Sequence, residues 1–174
     1  MTITFVGHGY VGLVTATVFA DLGNTVYVIG HTPEKIERLK KGDPIIFEPG
    51  LEELLKKNLE AKRIHFTTEY EHAVSKSDVV FIAVGTPPQT SGAADLSAVF
   101  AVAEKIGKHL KNGFTVVSCK STVTIGTNKK VAEIIESVKL KDAKFAIASC
   151  PEFLSQGTAL ANTLHPDRVV IGSD

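Results

Sequence analysis

The sequence predicts a doubly wound α/β fold, a mainly parallel sheet with helices on both faces. Apolar runs of strand length alternate with amphipathic helical patterns from end to end, the pattern of crossover units around a parallel sheet. Gly7, Gly9 and Gly12 stand between the first apolar run and the first helical pattern, spaced as a tight strand-to-helix turn requires. The run over 78–84 is apolar almost throughout, which a strand buried on both faces needs.

Taken in order, residues 3–6 are the first strand and 10–22 a helix, ended by Gly23 in the position a C-terminal cap prefers. Residues 25–29 form a second, β-branched run. Pro33 sits where a helix can start, and 35–40 continue it. Between Gly42 and Gly50 the chain turns through Pro44 and Pro49, after which Leu51, Leu54, Leu55 and Leu59 fall on one helical face. Residues 64–66 read as a short third strand and 78–84 as the next. Asp95 is the expected N-cap of a helix whose stripe is Leu96, Val99, Ala103, Ile106 and Leu110. A strand over 114–118, a helix over 127–138 and strands over 145–148 and 168–171 complete the count. No internal repeat, low-complexity tract or linker divides the chain, so residues 1–174 are expected to be one domain. The closing "RVVIGSD" ends on a strand-like run with no capping helix, and the domain is expected to be the first part of a longer protein.

Composition narrows the function. The 174 residues are 44% hydrophobic and 22% charged, as in a soluble globular domain. Nineteen basic residues balance nineteen acidic ones, so no broad positive field invites nucleic acid or an anionic membrane. No stretch has the charge and cleavage pattern of a secretory signal or the length of a membrane helix, and a cytoplasmic setting is expected. Cys119 and Cys150 are too few for a disulfide framework or a CxxC metal site, and the six histidines lack metal-ligand spacing, so no metal is expected.

The G-x-G-x-x-G pattern gains mechanical meaning from its place between a strand and a helix. Gly7 permits the tight turn, Gly9 lets the backbone approach a pyrophosphate, and Gly12 lets helix and strand pack closely, the arrangement of a Rossmann-type dinucleotide site. The N–H groups of Tyr10 and Val11 at the helix start would face the anion. One feature departs from this pattern: the end of the second strand carries Gly30, where a carboxylate normally accepts both ribose hydroxyls of NAD. Its loss removes one or two hydrogen bonds to a charged acceptor, about 1.5–3 kcal/mol each. It also removes repulsion against a 2′-phosphate. His31, Thr32 and Lys35 offer donors nearby, so NAD is the expected cofactor and NADP stays open.

Five segments are more specific than the loop: "GHGYVG", "GDPIIFEPGLEELL", "VGTPPQTSGAADLSAV", "KSTVTIGT" and "PEFLSQGTALANTLHPDRVVIG". In order and spacing they resemble the N-terminal, NAD-binding domain of the UDP-glucose/GDP-mannose 6-dehydrogenase family, and the similarity covers nearly all of the chain. The resemblance implies oxidation of a nucleotide-sugar C6 alcohol to a carboxylate by two NAD in succession, through an aldehyde and a thioester held on a cysteine. That cysteine, a lysine, an asparagine and most contacts to the nucleotide sugar belong to a second domain outside this chain. It further implies NAD contacts at Gly7, Gly9, Gly12 and Val11, at Lys35, at Thr86 and at Thr122. Thr86 and Thr122 follow strand-like runs, where ligands of open α/β sheets gather, and their hydroxyls both donate and accept.

Glu152 matches a family glutamate near the reacting carbon. A carboxylate there could take a proton from the water attacking a thioester, its pKa moved toward neutrality by partial burial. Thr122 is grouped with it as catalytic, and Gln156 with the cofactor contacts. The family usually carries Arg-Glu after "PEFL", where this chain has Ser155 and Gln156. Gln156 keeps hydrogen-bonding ability but cannot act as a base, so proton transfer would fall to Glu152 alone. Cys150, with no activating group evident beside it, and Cys119, inside an apolar run, read as inert thiols. The chain alone is expected to be inactive and monomeric, since family members pair as homodimers through a central helix it lacks. Two alternatives remain: a non-catalytic dinucleotide-binding module derived from this family, and another β-hydroxyacid-type dehydrogenase sharing the first domain.

Overall fold

A computed structural model describes residues 1–173. Seven strands form one sheet in the order β3-β2-β1-β4-β5-β6-β7: β1 Thr2–Val6, β2 Thr25–Ile29, β3 Ile64–Thr67, β4 Val79–Ile82, β5 Gly113–Cys119, β6 Ala143–Ser149 and β7 Gly172–Ser173. The first six are parallel and β7 is antiparallel to β6. The order reverses between β1 and β4, opening a crevice at the carboxyl ends of these strands, as the doubly wound arrangement requires.

Helices α1 (Tyr10–Asp21), α2 (Pro33–Lys40), α3 (Leu51–Glu60) and α7 (Ala159–Leu164) cover one face. Helices α4 (Tyr70–Val74), α5 (Ser97–His109) and α6 (Thr127–Val138) cover the other. The period of two in each strand feeds both cores at once. In β4, Val79 and Phe81 face the α1 side while Val80 and Ile82 face α5, which is why the run shows no polar alternation. Phe81 stacks on Phe5 with ring centroids 4.8 Å apart, and Phe19 of α1 meets both edge-on. Gly23 closes α1 as expected: its N–H donates to Ala20 O and that of Asn24 to Phe19 O, two reciprocal bonds that satisfy the last carbonyls. Among the described residues no helix is long and apolar enough to cross a membrane.

The structure departs from the sequence-based expectations in four places. Residues 168–171 are not a strand; Val169, Val170 and Ile171 are 63%, 46% and 68% exposed, and pairing begins only at Gly172. A β-branched run shows a preference for extended backbone, but a strand also needs a neighbour to hydrogen-bond. Asp95 is not the N-cap, a position Leu96 holds; its carboxylate accepts the Ser97 N–H at 2.9 Å from one residue further out. The run over 78–84 pairs as a strand only over Val79–Ile82, its last ladder bond running from the Ala83 N–H to Val6 O. Helices α4 and α7 were not anticipated, since five and six residues are too few to display a helical period.

Candidate functional site

The glycine loop is held by backbone against backbone. Gly7 has φ +124°, and a Cβ on it would lie 2.6 Å from the Ala83 carbonyl carbon and closer still to its oxygen. A Cβ on Gly12 would in turn lie 3.1 Å from the Gly7 carbonyl carbon. Strand β1, the turn and α1 are thus wedged onto the end of β4. Around Gly9 there is nothing within 4 Å of where a Cβ would stand. Gly9 is the N-cap of α1 and no side chain caps this end, so the N–H groups of Tyr10, Val11 and Gly12 point from a bare helix terminus into that space. Open room at Gly9 above uncapped donors fits the pyrophosphate of a dinucleotide.

From the loop a cleft of about 240 Å³ extends along the strand ends, bringing Gly9, Val11, Thr86, Thr122 and Glu152 together with Lys120. Hydrogen bonds fix its floor. Thr86 Oγ1 donates to Thr122 O at 2.9 Å, and Ser121 Oγ donates to Val84 O at 2.7 Å. The Lys120 and Ser121 N–H groups both reach Ile82 O. The Thr86 proton is committed to the main chain, leaving its lone pairs to accept from a ligand. Glu152 is half-buried, and its Oε2 accepts the Leu154 N–H at 2.6 Å, a bond that aims the carboxylate. A second cleft of about 430 Å³ adjoins the first; Lys120 and Glu152 border both, and Cys150, Phe153, Asn162 and Arg168 lie beyond them. Sequence reasoning missed Lys120, although it stands directly after β5 and the strand-end argument used for Thr122 applies to it equally.

Glu48 was also missed. Its carboxylate, 5% exposed, accepts the Tyr10 hydroxyl, the Gly157 N–H at 2.7 Å and the Leu160 N–H at 3.3 Å. Burial by itself would push this carboxyl up; the hydrogen bonds from Tyr10, Gly157, Leu160 and Ala159 outweigh it and hold it below the usual carboxylate range. Tyr10 therefore offers the cleft its main-chain N–H, while its phenol ties α1 to the 43–50 turn and to the start of α7.

At the other end of the loop, Gly30 hydrogen-bonds through its N–H to Thr67 O at 3.0 Å. The place an acidic side chain would take is filled by the imidazole of His8, which is 6% exposed. Lys35 is exposed on α2. Gln156 is exposed and lies outside the lining of both clefts.

The model of the UDP-glucose/GDP-mannose dehydrogenase family, NAD binding domain, matches residues 1–174. A UDP-glucose 6-dehydrogenase of Rhizobium meliloti (strain 1021) is 48% identical over 175 residues, covering 100% of this chain and 40% of that protein. A solved UDP-glucose dehydrogenase from Pyrobaculum islandicum superposes with a TM-score of 0.94 at 44% identity, over 98% of this chain and 40% of that one. A GDP-mannose dehydrogenase from Pseudomonas aeruginosa, solved as a ternary complex, gives 0.95 at 36% identity, over 100% and 41%. The chain thus spans about two fifths of the length of these relatives. With its glycine loop, strand order and whole length matching, the chain belongs to the UDP-glucose/GDP-mannose dehydrogenase family and is an NAD binding domain of that family.

Proposed function

We propose that this chain seats NAD for a longer protein that oxidises the C6 alcohol of a nucleotide sugar, UDP-glucose or a close analogue, to the carboxylate. The observation that carries this reading is the single cleft in which the uncapped start of α1, Thr86, Thr122 and Glu152 meet. NAD supplies the hydride acceptor, and two equivalents account for the four electrons between alcohol and carboxylate. The residues of the chain do the rest. The N–H groups of Tyr10, Val11 and Gly12 would hold the pyrophosphate, and Val11, Thr86 and Thr122 would hold the nicotinamide end. Lys120 places positive charge at the mouth shared by the two clefts, where charge develops on a reacting oxygen. Glu152, aimed by the Leu154 N–H, would take the proton of the water that attacks the thioester implied on the second domain's cysteine, forming the carboxylate as the C–S bond breaks and the thiol is released. The larger cleft beyond Lys120 is the side from which the nucleotide sugar approaches, and the whole protein is expected to pair as a homodimer.

Calorimetric titration of the chain with NAD, alongside an assay for NADH production from UDP-glucose and GDP-mannose, tests this. The chain is expected to bind NAD and to turn over neither sugar, whereas the longer protein oxidises one of them. Absence of NAD binding, or oxidation by this chain unaided, would overturn the reading.

A further inference from the structure

Gly30 and His8 exclude one another's alternatives. A Cβ on Gly30 would stand 2.7 Å from His8 Nδ1, 3.0 Å from His8 Cγ and 2.7 Å from Ile36 Cδ1. Ile36 meets it with the free end of a flexible chain, but His8 meets it with the root of a buried ring. The carboxylate that ordinarily recognises the adenosine ribose therefore cannot be accommodated at position 30 while His8 occupies this place. The His8 ring lies 5.3 Å from that of His31, edge to face. Burial, then the neighbouring His31 and Lys35, pushes the His8 imidazole below its ordinary value, which favours the neutral ring with its one donor and one acceptor. His31 and Lys35 are both exposed at this rim. The α2 helix begins beside them with Pro33 at its first turn, and Thr32 makes no side-chain cap. Its one acidic residue in that turn is the exposed Glu34. Where a ribose site selective for NAD presents a fixed negative charge, this one presents a neutral ring backed by two basic side chains.

We propose that His8, His31 and Lys35 read the adenosine ribose in place of a carboxylate, so that the chain accepts the 2′-phosphorylated dinucleotide NADP as well as NAD. The proposal rests on the dinucleotide reading of the glycine loop and extends it to the one part of the ligand that loop does not touch. Selectivity is a difference of two affinities, and removing repulsion against the 2′-phosphate while adding the Lys35 ammonium and imidazole donors acts on that difference directly.

The test is calorimetric titration of the chain with NAD and NADP in the same buffer. NADP is expected to bind within about tenfold of NAD. His31→Ala is expected to weaken NADP at least fivefold more than it weakens NAD. Gly30→Asp alone is expected to weaken both ligands, because the new side chain collides with His8. Adding His8→Ala to Gly30→Asp frees the space, and the double variant should prefer NAD over NADP by more than tenfold. If the unaltered chain binds NAD but takes NADP more than tenfold more weakly, the proposal fails and the dinucleotide reading stands. If it binds neither, both fail. Equal weakening of the two ligands by His31→Ala would also overturn the assignment of the 2′-phosphate to this rim.

Discussion

Gly12 packs its α-carbon against the carbonyl of Gly7, so close that a Cβ would lie 3.1 Å from the carbonyl carbon and nearer still to the oxygen. Gly9, between them in the chain, has open space on the corresponding side. The two positions should therefore separate stability from binding. Gly12→Ala forces backbone apart and is expected to cost about 3 kcal/mol, the upper end of overpacking. Gly9→Ala is expected to cost less than about 1 kcal/mol while placing a methyl group between the helix donors and the pyrophosphate. Thermal unfolding and NAD titration of both variants check this; equal stability losses would contradict it.

Glu48 anchors a second junction. Replacing it by glutamine leaves an acceptor but removes the charge that draws the Tyr10 hydroxyl and the Gly157 and Leu160 N–H groups together. Loss of charge-assisted bonds at a buried site is expected to cost about 1.5–3 kcal/mol. Hydrogen exchange locates the effect: the Gly157 and Leu160 amides should exchange faster in Glu48→Gln, while those of β1 change only with overall stability.

The same carboxylate gives the fold a pH dependence of definite sign. Its folded pKa lies below the usual range, so between the two values the unfolded chain binds more protons, and stability rises with pH. The contribution is complete above the ordinary carboxylate value of about 4.3 and is lost as pH falls through the depressed folded value. Asp21, bonded to Lys57, and Asp78, bonded to the Thr2 N–H and Lys111, are shifted the same way. Melting temperatures measured from about pH 6 down to pH 3 should fall less steeply for Glu48→Gln than for the unaltered chain.

The two thiols should react differently. Cys119 is 3% exposed, and burial pushes its thiol up to about 11. Cys150 is half-buried and borders the larger cleft. Because the thiolate is the nucleophile, alkylation by iodoacetamide near neutral pH is expected to mark Cys150 and to reach Cys119 only on unfolding. Peptide mass spectrometry distinguishes the two.

Glu152 is assigned a proton, and Glu152→Gln in the longer protein keeps the size of the side chain while removing the base. A fall in kcat of about 10²–10⁴ is expected, larger than any change in KM. A variant with unaltered kcat would return Glu152 to the role of a turn residue held by the Leu154 N–H.

What was readable in the sequence was what neighbours in the chain decide. Of the seven runs that the alternation marked as strands, six are the parallel strands of the sheet; Gly23 ended α1, and the spacing of Gly7, Gly9 and Gly12 announced a turn that makes sense only with a ligand or a crowded backbone beside it. Thr86 and Thr122 came from the family resemblance of their segments, supported by the way strand ends of an open sheet converge on one crevice. The exposed run at 169–171 marks where this reasoning stops: its side chains favour extended backbone, but whether a strand lies alongside depends on the rest of the chain.

The sequence by itself determined the doubly wound layering and the place of the phosphate loop, because helical and strand periods and glycine sterics act over a few residues. Only the tertiary structure decided that Tyr10, Glu48 and Gly157 would share one buried junction, that Lys120 and Glu152 would stand between two clefts, and that His8 would fill the space a carboxylate leaves at Gly30. Each of these joins residues about twenty to a hundred or more positions apart, and such pairings follow from how helices pack across the sheet, which no local pattern records.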